Sequence, residues 1–464
     1  MIQKILKEHD TIFALSTPPG HGGVSVLRVS GSSAAVMTRK VARFLPESAE
    51  SHRLYFGTLR SIDSQAEIDE VLVAYFAHGK SYTGEETCEI SCHGSPQIVE
   101  LISKELVKAG ARPAGRGEFT YRAFMNGRLD LVQAESVLTL IESQSQEEAK
   151  QSLRQLKGHL SDQLLRIEDT IIWSLAHLEA SIDFSTEDIE VVDHVELRHR
   201  LSLGLQSVNK MLESYKEGRI LRDGFHVVLC GLPNAGKSSL MNLLCEEERA
   251  IVTEIPGTTR DIVESRVMVD GVRVILMDTA GLRDTEDLVE KIGVQKSRQS
   301  IQEADLILYV LAADQAVLGL EKAMVPGDLE KFQSEPRCQF VLNKKDLVST
   351  EIISNQLPAN IKPAAIVSSF DYKSRDLLIQ VIRQAMGQKK WADQSVILQA
   401  RHFESLGLVQ QALEKVLQLE QMNMGAEILS LELKHALVAV QEILGKRYDD
   451  QIIDRIFKEF CLGK

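Results

Sequence analysis

Apolar residues follow different periods in successive parts of the chain, and each change of period marks a change of architecture. To about residue 126 they come in short runs between turn clusters: 24–29, 70–76 and 88–92 predict strands and 97–109 predicts a helix, an α+β pattern. From residue 128 to about 219 the spacing lengthens to three or four residues. Leu153, Leu156, Leu160, Leu164, Ile167, Ile171, Leu175 and Leu178 would line one helix face. Leu205, Val208, Leu212 and Tyr215 resume the pattern beyond an acidic stretch, 183–193, that reads as a solvated loop. From 223 to about 387 strands and helices alternate. The apolar runs 225–230, 273–278, 306–310, 339–343 and 364–368 predict a mostly parallel sheet covered on both faces. Helical spacing returns after residue 389, in Leu406, Val409, Leu413 and Val416 and then in Leu433, Leu437, Val440 and Leu444.

The two helical stretches flank the α/β stretch, so they are expected to fold together with the α/β unit inserted between them. The fold class that follows is multidomain α/β: an α+β domain over 1–126, a discontinuous helical domain over 127–220 and 388–464, and an inserted α/β domain over 221–387. A length of 464 residues suits two or three such domains. The formal charge of −13 argues against a protein that coats nucleic acid through general cationic excess. Lys4, Lys7, Glu8 and Asp10 interrupt the first apolar residues, which removes a signal-peptide core. No apolar run approaches a membrane span, so a cytoplasmic location is expected. The six cysteines lack paired C-x-x-C spacing, and Cys88 and Cys92 are expected as buried thiols on a strand rather than metal ligands beside His93.

Candidate chemistry concentrates in the inserted domain. Gly231-Leu232-Pro233-Asn234-Ala235-Gly236-Lys237-Ser238-Ser239 follows the apolar run 225–230 and opens into Leu240, Met241, Leu243 and Leu244, which reads as strand, glycine loop and helix. Such a loop aims consecutive backbone amides at one anion, and the helix adds the positive end of its dipole. Lys237 would reach the β- and γ-phosphates and the Ser238 hydroxyl would bind Mg²⁺.

Further along stand Gly257-Thr258-Thr259-Arg260-Asp261, then Asp278-Thr279-Ala280-Gly281, then Asn343-Lys344-Lys345-Asp346, each of the last two at a strand end. Their order and spacing resemble those of the G-protein family, whose inserted Ras-like P-loop G domain this stretch would be. The Asp346 carboxylate can accept from the ring N–H and the exocyclic amine of guanine together, and adenine offers no such pair of donors, so the ligand is GTP. Thr259 would be a second hydroxyl on the metal, Asp278 would hold it through water, and the Gly281 amide would sense the γ-phosphate. Ras-type proteins carry a glutamine soon after this glycine to orient water; here Leu282 and Arg283 follow, so water is positioned by another group.

Taken with the discontinuous helical layout, the matches over 17–31 and 116–135 and the run Cys461-Leu462-Gly463-Lys464, these motifs resemble the MnmE (TrmE) family of tRNA modification GTPases over essentially the whole chain. The resemblance implies a homodimer with GTP, Mg²⁺, K⁺ and a 5-formyl- or methylene-tetrahydrofolate as cofactors. It implies joint action with the FAD- and NADH-dependent protein MnmG, in a heterotetramer or larger complex, to install a carboxymethylaminomethyl or aminomethyl group at C5 of the wobble uridine of certain tRNAs. Asn234, Thr253, Ile255 and Thr258 fall at the family's K⁺ positions, within a nucleotide-binding stretch that also takes in Glu254, Pro256 and Gly257. Glu290 falls at its water-positioning glutamate. Arg28, Glu85, Arg128 and Lys464 fall at its folate-binding positions, where cations suit glutamyl carboxylates and a carboxylate suits the amino-pterin edge. Cys461 is a candidate thiolate for attack on a uracil ring.

The chain departs from the family in several places. Arg128 replaces a usual lysine and His21 a common arginine. Ser368-Ser369-Phe370 replaces a usual Ser-Ala-Lys or Ser-Ala-Arg, from which weaker guanine packing is expected. The rival class is a binding module, a ribosome-assembly or signalling GTPase whose other domains only recruit partners; a folate-dependent transferase with an acquired GTPase is a third. Lys104, Lys108, Arg112, Arg116, Arg122 and Arg128 form the most basic local run and are expected as a solvated helix face. Weak tRNA affinity of the isolated chain follows, with the partner supplying cationic surface.

Overall fold

The computed structural model describes residues 10–183, 193–245, 264–278, 299–357, 361–387, 396 and 398–464. The chain forms two compact units: Met1–Glu142 with Ser152–Leu212 and Ala400–Lys464, and Ser143–Gln151 with Glu213–Gln399.

The first unit contains a sheet of β1 (Ile12–Leu15), β2 (Gly22–Ser30), β3 (Arg53–Arg60), β4 (Glu67–Phe76), β5 (Thr87–Gly94) and β6 (Arg112–Pro113), in the order β3-β4-β5-β2-β1-β6. All pairs are antiparallel except β1 with β6. The strands expected at 24–29, 70–76 and 88–92 are β2, β4 and β5. The edge strand β3 escaped sequence reading because its apolar Leu54 and Phe56 face outward and are exposed, so it lacks a clean alternation of buried and solvated positions. Leu27, Val29, Val71, Val73, Cys88, Ile90 and Cys92 share one buried core with residues of the helices Ala34–Val41 and Pro96–Ala109. Cys88 and Cys92 are buried free thiols, and burial pushes them up to about 12 and about 11, which leaves them unreactive.

Beyond the sheet this unit is helical. Leu160, Leu164, Ile167, Ile171, Leu175 and Leu178 are buried along His159–Asp183 as their spacing predicts, and Ala426–Leu444 lies against both His159–Asp183 and Ala400–Gln421. Leu153 differs: it lies on the separate helix Gln146–Leu156 and is exposed. In His194–Asp223 the buried column is Leu197, Leu201, Val208 and Met211, with Leu205, Leu212 and Tyr215 at its margin. One residue is about 100° of helix, so a neighbouring column carries nearly the same spacing. Helix Asp450–Lys458 brings Ile453 and Phe457, with Phe460 beyond it, against Tyr121, Leu131 and Val137.

A buried charge cluster ties the helix Leu131–Glu142 to the first turn of Ala400–Gln421. Glu135 accepts from Arg401 Nε at 3.0 Å and Nη2 at 2.9 Å, and lies 2.7 Å from His402 Nε2. Burial pushes the Glu135 carboxyl up, but the charges and hydrogen bonds of His402 and Arg401 outweigh it and hold the group at about 2.

The second unit is built on β7 (Phe225–Cys230), β8 (Glu264–Val269), β9 (Val272–Asp278), β10 (Leu306–Ala312), β11 (Cys338–Asn343) and β12 (Ala365–Ile366). Their order is β12-β11-β10-β7-β9-β8, parallel throughout except for the edge strand β8, which pairs antiparallel with β9. Every residue of β10 is buried, as a strand covered on both faces requires. Two apolar clusters, one containing Val227, Leu229, Leu308 and Val310 and the other Val228, Cys230, Ile307 and Tyr309, show the alternation between those faces. Among the described residues no helix is long and apolar enough to cross a membrane.

The basic run is corrected by the structure. Lys104 and Lys108 lie on Pro96–Ala109 and pair with Glu100, Asp63 and Glu105; Arg112 is on β6 and Arg122 on Glu118–Met125, both engaged with carboxylates. The run is therefore not one solvated face: it crosses three elements, and most of its charge is answered within the fold.

Candidate functional site

The carboxyl ends of β7, β9, β11 and β12 carry the motifs of the second unit, at the edge of the sheet where ligands bind in open α/β folds. After β7 the backbone turns through Gly231 at φ 131° and Gly236 at φ 93° before entering the helix Lys237–Cys245. A Cβ on Gly231 would collide with the Val310 carbonyl oxygen, and one on Gly236 with the Asn343 amide, so these two positions admit only glycine. Asn234 adopts the left-handed conformation at φ 63° and is exposed between them. Ala235 is buried and its carbonyl accepts from Asn343 Nδ2 at 2.9 Å, which clamps the loop to the end of β11.

Lys237 is buried and donates to the carbonyls of Gly231 at 3.1 Å and Leu232 at 2.9 Å, so its ammonium is held inside the curl of the loop. Ser238 Oγ donates to Asp278 Oδ2 at 2.6 Å, which brings the loop hydroxyl and the carboxylate at the end of β9 together. Ser239 faces outward on the first turn. Lys344 takes the left-handed conformation and leads into a short 3₁₀ turn, Lys345–Leu347, on which Asp346 is exposed. Ser368 is buried beyond β12, while the Phe370 ring is 92% exposed. The structure thus brings Asn234, Ala235, Gly236, Lys237, Ser238, Ser239, Asp278, Asn343, Lys344, Asp346, Ser368, Ser369 and Phe370 to one edge of one sheet. Thr253, Glu254, Ile255, Pro256, Gly257, Thr258, Thr259, Thr279, Ala280, Gly281 and Glu290 lie outside the described residues.

A second polar site occupies the face of the N-terminal sheet opposite its main core. Arg28 pairs through Nε with Glu89 Oε1 at 2.8 Å, and its guanidinium lies 5.3 Å from the Tyr82 ring centroid and 5.6 Å from that of Phe119. Its Nη1 is buried with no acceptor among the described residues. Glu85 accepts from Ser30 Oγ at 2.7 Å and from Arg122 Nη1 at 3.1 Å. Arg122 also donates to Asp10 at 2.6 Å and Glu118 at 3.0 Å, and Arg112 reaches the same two carboxylates. Burial pushes Asp10 and Glu118 up, yet the guanidinium hydrogen bonds outweigh it and hold both below their ordinary range.

Arg128 is exposed, and its side chain lies close to Gly84, next to Glu85. Burial and then the charge of Arg28 lower the Lys464 ammonium, which places that amine near Arg28. Cys461 is exposed, and its carbonyl accepts from the Lys464 amide at 3.4 Å. Lys464 is thus linked to Arg28 by charge, and Arg128 lies beside the turn that carries Glu85. Sequence reading missed Tyr82, Glu89 and Phe119 as members of this face and took Arg122 for part of a solvated basic run; the β2–β5 register sets Glu89 opposite Arg28.

Comparison with known proteins covers both sites. The family model of the GTP-binding protein TrmE N-terminus matches residues 11–128, and that of the MnmE helical domain matches residues 131–461. Proteins named tRNA modification GTPase MnmE are similar to this chain over nearly its whole length. That of Bdellovibrio bacteriovorus is 47% identical, covering 99% of this chain and 98% of its own. That of Natranaerobius thermophilus is 40% identical, covering 98% and 99%, and that of Geobacter metallireducens is 37% identical over the same shares. With a glycine phosphate loop and guanine-type loops at one sheet edge, and likeness of this extent in both units, the chain belongs to the MnmE (TrmE) family of tRNA modification GTPases.

Proposed function

We propose that this chain is a K⁺-dependent GTP hydrolase of tRNA modification that acts with the FAD- and NADH-dependent protein MnmG. Together they would install a carboxymethylaminomethyl or aminomethyl group at C5 of the wobble uridine of certain tRNAs. The observation that carries the reading is the likeness, along the full length of both chains, to proteins named tRNA modification GTPase MnmE.

In the nucleotide site the chain's own residues have separable tasks. Backbone amides of 234–239 hold the phosphates, and Lys237 donates to them in place of the loop carbonyls. Asp346 accepts from guanine N–H groups, with Asn343 bracing the loop and Lys344 beside the base. Ser238 and Asp278 converge as two oxygen donors, a set that suits Mg²⁺, with Thr259 as a further ligand and Asp278 acting through water. Asn234, exposed at the crest of the loop, supports a K⁺ position shared with Thr253, Ile255 and Thr258. A K⁺ held there would neutralise charge that develops between the β- and γ-phosphates. Glu290 would position water.

The N-terminal face fits a tetrahydrofolate, 5-formyl or methylene. The buried, unanswered Nη1 of Arg28 calls for an acceptor from a ligand, with Arg128 and Lys464 as further cations, and Glu85 is held as a carboxylate acceptor by Ser30 and Arg122. A homodimer is supported by the same sheet face, where Leu54, Phe56 and Leu72 expose a continuous apolar patch beside the site. Cys461 stands by the site as a candidate thiol for tRNA chemistry. The division into domains 1–126, 127–220 with 388–464, and 221–387 belongs to the same reading.

Steady-state GTP hydrolysis in matched KCl and NaCl buffers tests it. Faster hydrolysis in KCl, lost in Asn234→Ala while GTP binding is kept, is expected. Equal rates in the two salts would overturn the K⁺ assignment.

A further inference from the structure

The loop after β12 commits its backbone amides selectively. Ser368 N donates to Ser374 Oγ at 3.0 Å, Phe370 N donates to Ser368 Oγ at 3.3 Å, and Asp371 N donates to the Ser368 carbonyl at 3.0 Å. Of the four amides from 368 to 371, only that of Ser369 has no acceptor among the described residues. Ser368 and Ser374 are both buried, so the bond that anchors the loop is shielded from water.

The neighbouring loop is tied to it through one residue. Lys345 lies between Lys344 and Asp346; its amide donates to the Val367 carbonyl at 3.0 Å and its Nζ to Asp371 Oδ2 at 2.5 Å. Asp371 Oδ1 in turn accepts from Lys373 N at 3.1 Å, which steadies the carboxylate at the entry to the helix Lys373–Met386. Lys345 thus grips the start and the end of the β12 loop at once. A shift of that loop is a shift relative to Asp346.

We infer that Lys345, Asp371 and Ser374 are positioning residues for guanine. They hold the one uncommitted amide, Ser369 N–H, at a fixed place relative to the Asp346 carboxylate, so the base is read on two edges together. The amide donates to O6, and the carboxylate accepts from the N1–H and the exocyclic amine. Adenine presents a donor where the amide needs an acceptor, and 2-aminopurine presents only C–H, so the Ser369 amide distinguishes bases by O6 alone. This inference rests on the GTP reading above and goes beyond it in assigning the selectivity to three side chains that touch no nucleotide.

Binding of GDP, of inosine diphosphate and of the 2-aminopurine riboside diphosphate to the full-length protein separates positioning from general stability. Hypoxanthine keeps both O6 and N1–H, whereas 2-aminopurine lacks both and keeps only the exocyclic amine, so it reports binding without the joint reading of the two edges. In Asp371→Asn, GDP and inosine diphosphate are expected to weaken together by about threefold, the scale of an exposed ion pair, with 2-aminopurine binding unchanged. Ser374→Ala is expected to weaken the first two by about tenfold, since a buried amide loses its acceptor. The reversed pair Lys345→Asp with Asp371→Lys is expected to restore most of the loss from Asp371→Asn. Equal weakening of all three nucleotides, or unchanged GDP binding in Asp371→Asn, would overturn the inference. Wild-type protein that binds GDP no better than the 2-aminopurine analogue would overturn the GTP reading itself, and this inference with it.

Discussion

Lys237 and Arg122 are both almost fully buried cations, and their surroundings have little in common. Lys237 donates to the carbonyls of Gly231 and Leu232, six and five residues before it in the chain. Arg122 joins Asp10, Glu85 and Glu118, and its most distant partner is 112 residues away. Carbonyls of its own loop accept from the first, so its place is set by the curl of that loop. Three carboxylates surround the second, so its charge is answered inside the fold. The comparison teaches that a buried cation can be placed by the local turn of its own loop or by carboxylates that only folding brings together.

The largest effect is expected where the internal answer is removed. Among the described residues, Arg122→Met leaves the Glu85 carboxylate with only the Ser30 hydroxyl, and it thins the cations around Asp10 and Glu118. Breaking such a buried pair costs about 3–5 kcal/mol. Chemical denaturation should show a loss of that size, with GDP affinity of the folded protein retained; an unchanged midpoint would mean that the network is not a support.

The next effect tests a buried carboxylate of the same unit by pH. Glu135 is lowered from its ordinary 4.5 to about 2, so the folded state holds its proton less tightly than the unfolded chain. The stability this gives is fully present above about 4.5 and is lost as pH falls toward 2. At roughly 1.4 kcal/mol per pH unit it amounts to something on the order of 3 kcal/mol. Glu135→Gln should be less stable at neutral pH and show a flatter acid limb; parallel acid limbs in the two proteins would contradict the assignment.

Lys237→Ala should cost least in stability and most selectively in function. Loss of a charged donor to phosphate is expected to weaken GTP binding by roughly 100-fold, about 2.7 kcal/mol, with the denaturation midpoint moved little. If the midpoint falls as far as in Arg122→Met, the contrast between a cation placed by its own loop and a structural one fails.

The two sites also differ in how far they could be read before folding. The phosphate loop, Asp278, Asn343 and Asp346 were legible because a glycine loop and the strand ends beside it carry their chemistry in contiguous residues, and β7, β9, β10 and β11 stood close to where the apolar runs place them. The clamp from Asn343 to the Ala235 carbonyl was not legible, since Asn343 was read for the base alone. Nor was β3, whose outward apolar residues mask its alternation, or the true buried column of His194–Asp223. On the N-terminal face only the resemblance pointed to Arg28, Glu85, Arg128 and Lys464. Tyr82, Glu89 and Phe119 were not singled out, and Arg122 was read as a solvated charge because its partners lie far away in number.

By itself the sequence determined what depends on local geometry: a loop that only glycine can turn, apolar periods that decide helix or strand, and the strand ends at which the contiguous motifs stand. Tertiary structure alone decided which distant charges meet. Whether Arg28 faces Glu89, whether Arg122 answers three carboxylates, and whether Lys345 bridges two loops through Asp371 depend on register and on packing between segments far apart in number. Charge attraction has no sequence period, and a side chain's partner is chosen by the burial that surrounds it, which exists only once the chain has folded.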